Sequence, residues 1–348
     1  MPPPATPTPA PSLKPLSRQV VVVTGASSGI GLVTAKAFAW KGAKVLLVAR
    51  DETALAQAVK DIRSASGTAD YHLADVGDRA QVMAAAAAAI ALFGQIDTWV
   101  NDAGVAIYSA LLDTPEDEHR RLFQTNYFGV VHGCEAAAAH LDVVDGAGAI
   151  ITVASIASDI PSPLMGAYCA SKHAVKAYVE TLRIELASAG SPVSVTLVKP
   201  SGIDTPIARH AANHVGGEQA GAARIPPPVY DPDLVADAIL DAAVNRRRDI
   251  TVGGAGRTQV LFAQHFKGLY ERLAPIAARA FTDPDRNQPR PSNLFASAGP
   301  ATERSGEQSG LRTSLYTKAA EHPRATALGV GAIVGAAALL LFRKGEED

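Results

Sequence analysis

Val20-Val21-Val22-Val23-Thr24-Gly25-Ala26-Ser27-Ser28-Gly29-Ile30-Gly31, followed by the stretch Leu32–Trp40, decides how this chain is read. Four consecutive valines predict a buried strand. The apolar residues after Gly31 recur at helical spacing, so the glycines lie where a strand hands over to a helix. Glycine lets a backbone approach a pyrophosphate closely, and a helix N-terminus adds free N–H groups and the positive end of a dipole. In that setting Thr24, Gly25, Ser27, Ser28, Gly29, Ile30 and Gly31 are expected to cradle a nucleotide; the bland alternative is an ordinary Gly/Ser turn.

The pattern repeats down the chain. Short apolar runs at Val45–Val48, Tyr71–Leu73, Ile96–Val100, Ala149–Val153, Val193–Val198 and Ile250–Val252 predict strands. Between them, Thr53–Ser64, Ala80–Phe93, Glu116–His140, Ala167–Ala189 and Leu234–Val244 have helical periodicity. Strands alternating with helices imply an α/β fold, a Rossmann-type doubly wound parallel sheet with ligands at the carboxyl ends of its strands. Ile203 to about Val229, rich in glycine and proline, is expected to be a loop-rich lid.

Composition narrows the classes. The 348 residues are 47% hydrophobic and 19% charged, as in a globular protein with a substantial core. A net charge of −2 argues against a nucleic-acid partner, which would need a basic face. Two cysteines, Cys134 and Cys169, and nine scattered histidines give no metal-ligand spacing and no disulfide framework. No metal is expected.

The chemistry-bearing residues follow the predicted strands. Tyr168-Cys169-Ala170-Ser171-Lys172 puts a phenol and an ammonium four residues apart, on one face of a helix. A free phenol titrates near 10, and a neighbouring cation favours the phenolate, so the pair is expected to bring a proton within reach of neutral-pH chemistry. Ser155 is placed to hydrogen-bond the reacting oxygen. On its own the Tyr/Lys spacing is common on helix surfaces.

Arg50, with Ala49 before it, ends the second strand. A carboxylate there would suit an unmodified ribose, whereas an arginine suits a 2′-phosphate. NADP(H) is therefore favoured over NAD(H). Asp75 is placed to accept from an adenine amino group, with helix capping as its competitor. Asn101-Asp102-Ala103-Gly104 follows the fourth strand, where Asn101, Ala103 and Gly104 allow a cofactor to come close; a simple Asn/Gly turn is the alternative.

Together these residues resemble the short-chain dehydrogenase/reductase family in its short, single-domain branch, over roughly Ser17 to Gly254. The motifs that match are the TGxxxGxG loop, the NAG-like segment at Asn101, Asn126 in Gln124-Thr125-Asn126-Tyr127, Ser155, the Tyr168/Lys172 pair, and Pro200-Ser201-Gly202-Ile203-Asp204-Thr205-Pro206. The resemblance implies an enzyme that moves a hydride between a nicotinamide cofactor and a ketone, aldehyde or alcohol. Tyr168 would be the general acid/base. Lys172 would lower its pKa and hold the nicotinamide ribose, and Ser155 would polarise the carbonyl. Asn126 would hold a water linking Lys172 to solvent. Pro200, Gly202, Ile203 and Thr205 would meet the nicotinamide, Thr205 at its carboxamide. Family members usually form dimers or tetramers through two long helices, here Glu116–His140 and Ala167–Ala189.

Two departures stand out. Asp102 replaces the second asparagine of the family's NNAG, adding a charge expected near the adenosine end of the cofactor. Ser201 separates Pro200 from Gly202. Two other functions stay open. One is a non-catalytic NADP-binding scaffold. The other is a sugar-nucleotide epimerase or dehydratase, whose relatives have a different glycine spacing and a larger C-terminal domain.

The flanks have their own character. Residues 1–16, proline-rich with no apolar run, are expected to be a disordered tail and not a signal peptide. The catalytic domain spans 17–254, a helical extension 255–281, and a flexible linker 282–324. Residues 325–342 carry no charge and are followed by Arg343-Lys344. Eighteen residues span roughly 27 Å as a helix, which predicts a C-terminal transmembrane anchor with the catalytic domain in the cytoplasm. An apolar lid and a tether suggest a lipophilic substrate.

Overall fold

A computed structural model describes residues 12–141, 148–215, 221–287, 292–297, 301–321 and Thr326. Seven parallel strands form one sheet. In chain order the catalytic half begins β1 (Val20–Thr24), α1 (Gly29–Trp40), β2 (Lys44–Ala49), α2 (Glu52–Ser64), β3 (Thr68–Leu73), α3 (Arg79–Phe93) and β4 (Thr98–Asn101). It continues through the short β5 (Ile107–Tyr108), α4 (Glu116–Phe123), α5 (Gly129–Leu141), β6 (Ala149–Val153), α6 (Gly166–Ser188) and β7 (Ser194–Pro200). The remainder comprises α7 (Ile207–His210), β8 (Ala212–Asn213), β9 (Gly221–Ala223), α8 (Asp233–Val244), β10 (Asp249–Val252), α9 (Gly254–His265), α10 (Lys267–Ala277), β11 (Thr282–Asn287) and α11 (Leu315–Glu321).

The sheet order is β3-β2-β1-β4-β6-β7-β10. It reverses direction between β1 and β4, which opens the crevice where such folds bind ligands. The valines of β1 show why the sheet is covered on both sides. Val21 and Val23 join the core beneath α1, α2 and α8, while Val22 joins the one beneath α3, α5 and α6. Successive side chains of a strand point to opposite faces, so an unbroken apolar run requires two layers of helices.

Three expectations change. The single helix expected over Glu116–His140 is interrupted by a π-helical turn, Gln124–Phe128, between α4 and α5. Such turns widen the helix locally and often mark functional sites; this one carries Asn126. The tail is not free over its last residues. Lys14 pairs with Asp97 at 2.6 Å, and Leu13 and Leu16 pack on the core.

The third change is the largest. Residues expected to form a flexible linker pack on the catalytic domain. β11 pairs antiparallel with β9, Leu294 is completely buried, and α11 is held where Thr317 Oγ1 accepts from the Gly253 N–H at 3.0 Å. Among the described residues no helix is long and apolar enough to cross a membrane. The expected anchor, 325–342, lies outside the described residues except for Thr326.

Candidate active site

The glycine loop meets the segment after β4 at close quarters. Gly25 has φ +72°, and a Cβ there would lie 2.8 Å from the Ala103 backbone; one on Gly31 would lie 2.4 Å from the Gly25 carbonyl oxygen. Only glycine allows that approach. Thr24 Oγ1 latches the two segments, accepting from the Asp102 and Ala103 amides at 3.1 and 3.3 Å and donating to the Val100 carbonyl at 3.2 Å. Thr24 and Gly31 thus support the loop from behind. Gly25, Ser27, Ser28, Gly29 and Ile30 line a cleft of about 590 Å³ along the carboxyl ends of the strands.

One end of the cleft holds the catalytic candidates. Ser155 leaves β6, and its Oγ accepts from the Ala157 amide at 3.1 Å, which fixes the side chain at the start of a short turn. Tyr168 and Lys172 project from the first turns of α6 into the same space, with the Lys172 Nζ 5.7 Å from the Tyr168 ring centroid. Lys172 Nζ donates to the Val153 carbonyl at 3.1 Å.

The expected depression of the phenol is not what this geometry gives. Burial pushes Tyr168 up, against the pull of its hydrogen bond with Ser155. Burial also brings the Lys172 ammonium down to about 8, with Asp102 opposing the shift. Desolvation outweighs the Ser155 hydrogen bond at Tyr168 and the Asp102 charge at Lys172.

Asn126, fully buried behind this end, grips one peptide segment with both ends of its amide. Its Oδ1 accepts from the Val105 N–H at 2.8 Å, and its Nδ2 donates to the Val105 carbonyl at 3.0 Å and to Ser171 Oγ at 3.1 Å. The widened π turn carries this side chain. Ala103, Gly104, Pro200, Gly202, Ile203 and Thr205 all line the cleft.

Asn101 does not line it. Its Oδ1 accepts from Trp99 Nε1 at 2.8 Å and its Nδ2 faces Thr152 and Cys134, so the side chain belongs to the sheet core. Asp102, expected near the adenosine end, lies instead between the glycine loop and Lys172. Burial raises its carboxyl to about 7, opposed by Lys172 and the Gly31 amide.

The other end of the cleft is charged and covered. Arg50 and Asp75 both line it. Asp75 pairs with Arg121 at 2.6 Å, and its Oδ1 also accepts from the Gly77 amide. Arg50 is not free. It donates to the carbonyls of Asn293, Leu294 and Phe295, and Arg121 shares the Leu294 carbonyl at 3.0 Å. Burial lowers the Arg50 pKa, and the nearby Arg121 adds to the shift.

The carbonyls come from the C-terminal strap, which then runs along the nucleotide loop. Thr302 O accepts from the Gly29 N–H at 2.9 Å, and Glu303 pairs with Lys36 at 2.9 Å. Arg304 meets Asp231 at 2.8 Å and Asp233 at 2.9 Å, and Ser305 caps Asp204.

Sequence reasoning missed this strap, together with Tyr108, Phe281, Asn293 and Ser297 on the cleft wall. Polar backbone-to-arginine contacts leave no periodic apolar signal. It also missed Asp159, which Lys176 and Lys199 hold below the usual carboxylate range despite its burial, and which braces the turn after Ser155.

A cleft that runs from a glycine loop to Ser155 and a buried tyrosine and lysine, at the switch point of a parallel sheet, fits a nicotinamide dinucleotide and defines an oxidoreductase. Residues 19–215 match the profile of the short chain dehydrogenase family. The chain is 36% identical over 329 residues to the uncharacterized oxidoreductase YxnA of Bacillus subtilis, covering 94% of this chain and 92% of that protein. Among solved structures, it resembles a short chain dehydrogenase/reductase from Burkholderia phymatum in complex with NAD (TM-score 0.62, 30% identity, covering 80% of this chain and 99% of that one). It also resembles an alcohol dehydrogenase from Thermococcus sibiricus complexed with 5-hydroxy-NADP (TM-score 0.58, 25% identity, covering 67% and 95%). The chain belongs to the short-chain dehydrogenase/reductase family, an oxidoreductase that acts on CH–OH groups with NAD(P).

Proposed function

We propose that this protein interconverts a lipophilic ketone or aldehyde with its alcohol, favours NADP(H), and works at a membrane surface. The observation that carries the chemistry is the convergence of Ser155, Tyr168 and Lys172 on one cleft with the glycine loop. The buried, protonated phenol is the form that donates to an oxygen gaining negative charge during reduction. Ser155 adds a second hydrogen bond to that oxygen. Lys172, near 8, keeps enough charge at neutral pH to stabilise the phenolate left behind. The bound nicotinamide supplies or accepts the hydride. Asn126 fixes Val105 beside Gly104, which holds the floor of this end in place. Thr205, beside Gly29, is the residue for the carboxamide.

A lipophilic substrate is supported by the cleft wall, where Ile156, Ile160, Met165, Ile225 and Phe281 supply apolar surface. For NADP(H), the support is a pair of guanidiniums, Arg50 and Arg121, facing a single carboxylate already committed to Arg121. The neighbouring Asp51 is spent capping α2 through the Ala54 amide. The strap carbonyls occupy several Arg50 donors, so a 2′-phosphate would share or displace them.

Steroid, acyl and retinoid carbonyls, assayed with NADPH and with NADH, test the reading. Turnover with at least one class, faster with NADPH, is expected; no NADPH oxidation with any of them would sink it.

Tethering rests on the charge-free run at 325–342 and its Arg343-Lys344 flank. Full-length protein is expected to stay with membranes through a carbonate wash, its catalytic domain on the cytoplasmic side; recovery in the wash would remove the tether. Self-association through α4, α5 and α6, common in the family, is the remaining expectation, and sedimentation in mild detergent as a clean monomer would contradict it.

A further inference from the structure

α10 presents an apolar face to solvent. Phe266, Leu269, Leu273 and Ile276 are all exposed, Phe266 and Ile276 by 59% and 62%. At about 100° per residue they share one arc of the helix, and Arg272 lies at its edge. Tyr270 and Ala274 turn the other way, into the packing around Val260 and Ile160.

A second apolar patch lies nearby. Leu112 is 97% exposed and Leu111 55%. The segment Pro161–Gly166 joins the two. Tyr270 Oη donates to the Pro161 carbonyl at 2.6 Å, the Ser109 amide donates to the Leu164 carbonyl at 2.8 Å, and Gly166 sits against Leu111. Ser162 and Met165 of that segment line the cleft, as do Ala277, Ala280 and Phe281 at the end of α10 and just beyond it. The two patches therefore flank the substrate end of the cleft.

α11 packs on the start of α9, with the Tyr316 side chain against Gly254. Three residues after α11 the charge-free run 325–342 begins. A run of that composition would hold a bilayer within a few residues of α9, and α10 follows α9 directly. Arg272 is exposed at the edge of the apolar arc and Arg279 just beyond α10, where they suit anionic headgroups, while the exposed Glu271 lies further round the helix.

We propose that the exposed face of α10, with Leu111 and Leu112, docks on the lipid bilayer and turns the substrate end of the cleft toward it. The occupant is a lipid surface, and a lipophilic carbonyl would enter from the acyl region without crossing water. The inference rests on the tether proposed above, which only holds the domain nearby; docking fixes how it sits.

The test uses the full chain in phosphatidylcholine vesicles containing phosphatidylserine. A single cysteine, Leu273→Cys, is labelled with an environment-sensitive fluorophore, and Ile276→Cys serves as a second site. Cys134 and Cys169 are buried and leave the label selective. Lys60→Cys, on an exposed position of α2, is the control. Spin-labelled acyl chains should quench the probes at 273 and 276 severalfold more than the probe at 60. If the protein pellets with the vesicles yet all three probes are quenched equally little, the domain is only tethered and docking is wrong. If it does not pellet at all, the tether fails and docking falls with it. Protection at 273 that grows with protein concentration before vesicles are added would assign the face to a second copy, and would also overturn the proposal.

Discussion

The two ends of the cleft are built differently. At the catalytic end every functional group comes from a strand end or the helix beside it, within the sheet domain. Ser155 leaves β6, Tyr168 and Lys172 open α6, and Asn126 is set by the π turn between α4 and α5. At the adenosine end, Arg50 and Arg121 are satisfied by the carbonyls of a strap more than 170 residues further along the chain. Chemistry needs groups held rigidly, which regular elements provide. The charged end instead shares its arginines with a segment distant in sequence, held by these polar contacts and by the buried Leu294.

Breaking the catalytic end should have the larger effect. Lys172→Met is expected to lower turnover about a hundredfold or more, because the phenolate loses its counter-charge. It should also change the pH dependence of stability. Burial lowers the folded-state pKa of Lys172 to about 8, below its ordinary value, so the unfolded chain binds more protons between the two. Wild-type stability therefore gains from this residue as pH rises through that window, and the variant should lack the gain in denaturant titrations across it. The same slope in both proteins would mean that Lys172 is not buried as described.

The adenosine end gives a smaller, sharper test. Arg50→Ala should raise the KM for NADPH by roughly ten- to a hundredfold and leave that for NADH within a factor of two or so, a charge-assisted contact being worth roughly 1.5–3 kcal/mol. Amide hydrogen exchange should also speed up around Asn293–Phe295, since the variant loses the strap's donor. Equal effects on both cofactors, with faster exchange, would make Arg50 a strap anchor and not a phosphate ligand.

Asp102 lies between the two ends and should show the smallest effect. Its carboxyl is raised by burial to about 7, so the unfolded chain gives up this proton at a lower pH than the folded one. Stability from this group is lost as pH rises from the ordinary carboxylate range to about 7. Asp102→Asn is then expected to be more stable than wild type at pH 8, by on the order of 1–3 kcal/mol, and to match it near pH 4. A thermal melt at each pH decides.

The contrast between the ends also explains what was legible. Val20–Gly31 announced a strand, a loop and a helix because each imposes its own periodicity, and Tyr168 with Lys172 announced a pair because a helix puts them on one face. Asn101 misled because the same motif position serves the sheet: its amide faces Trp99 and Thr152, away from the cleft. The phenol's environment was misjudged because burial, which no local spacing records, outweighs the pull of the Ser155 hydrogen bond. Residues 282–321 looked like a linker because their attachment uses carbonyls, Arg304 and Ser305, which carry no apolar rhythm.

The most direct test of the account is single-turnover reduction of an active carbonyl by NADPH in wild type and Tyr168→Phe, with NADPH affinity measured alongside. The account predicts a loss of about a hundred- to ten-thousandfold in the rate at nearly unchanged cofactor affinity, since only the transferable proton is removed. A Tyr168→Phe enzyme that keeps the wild-type rate would contradict it.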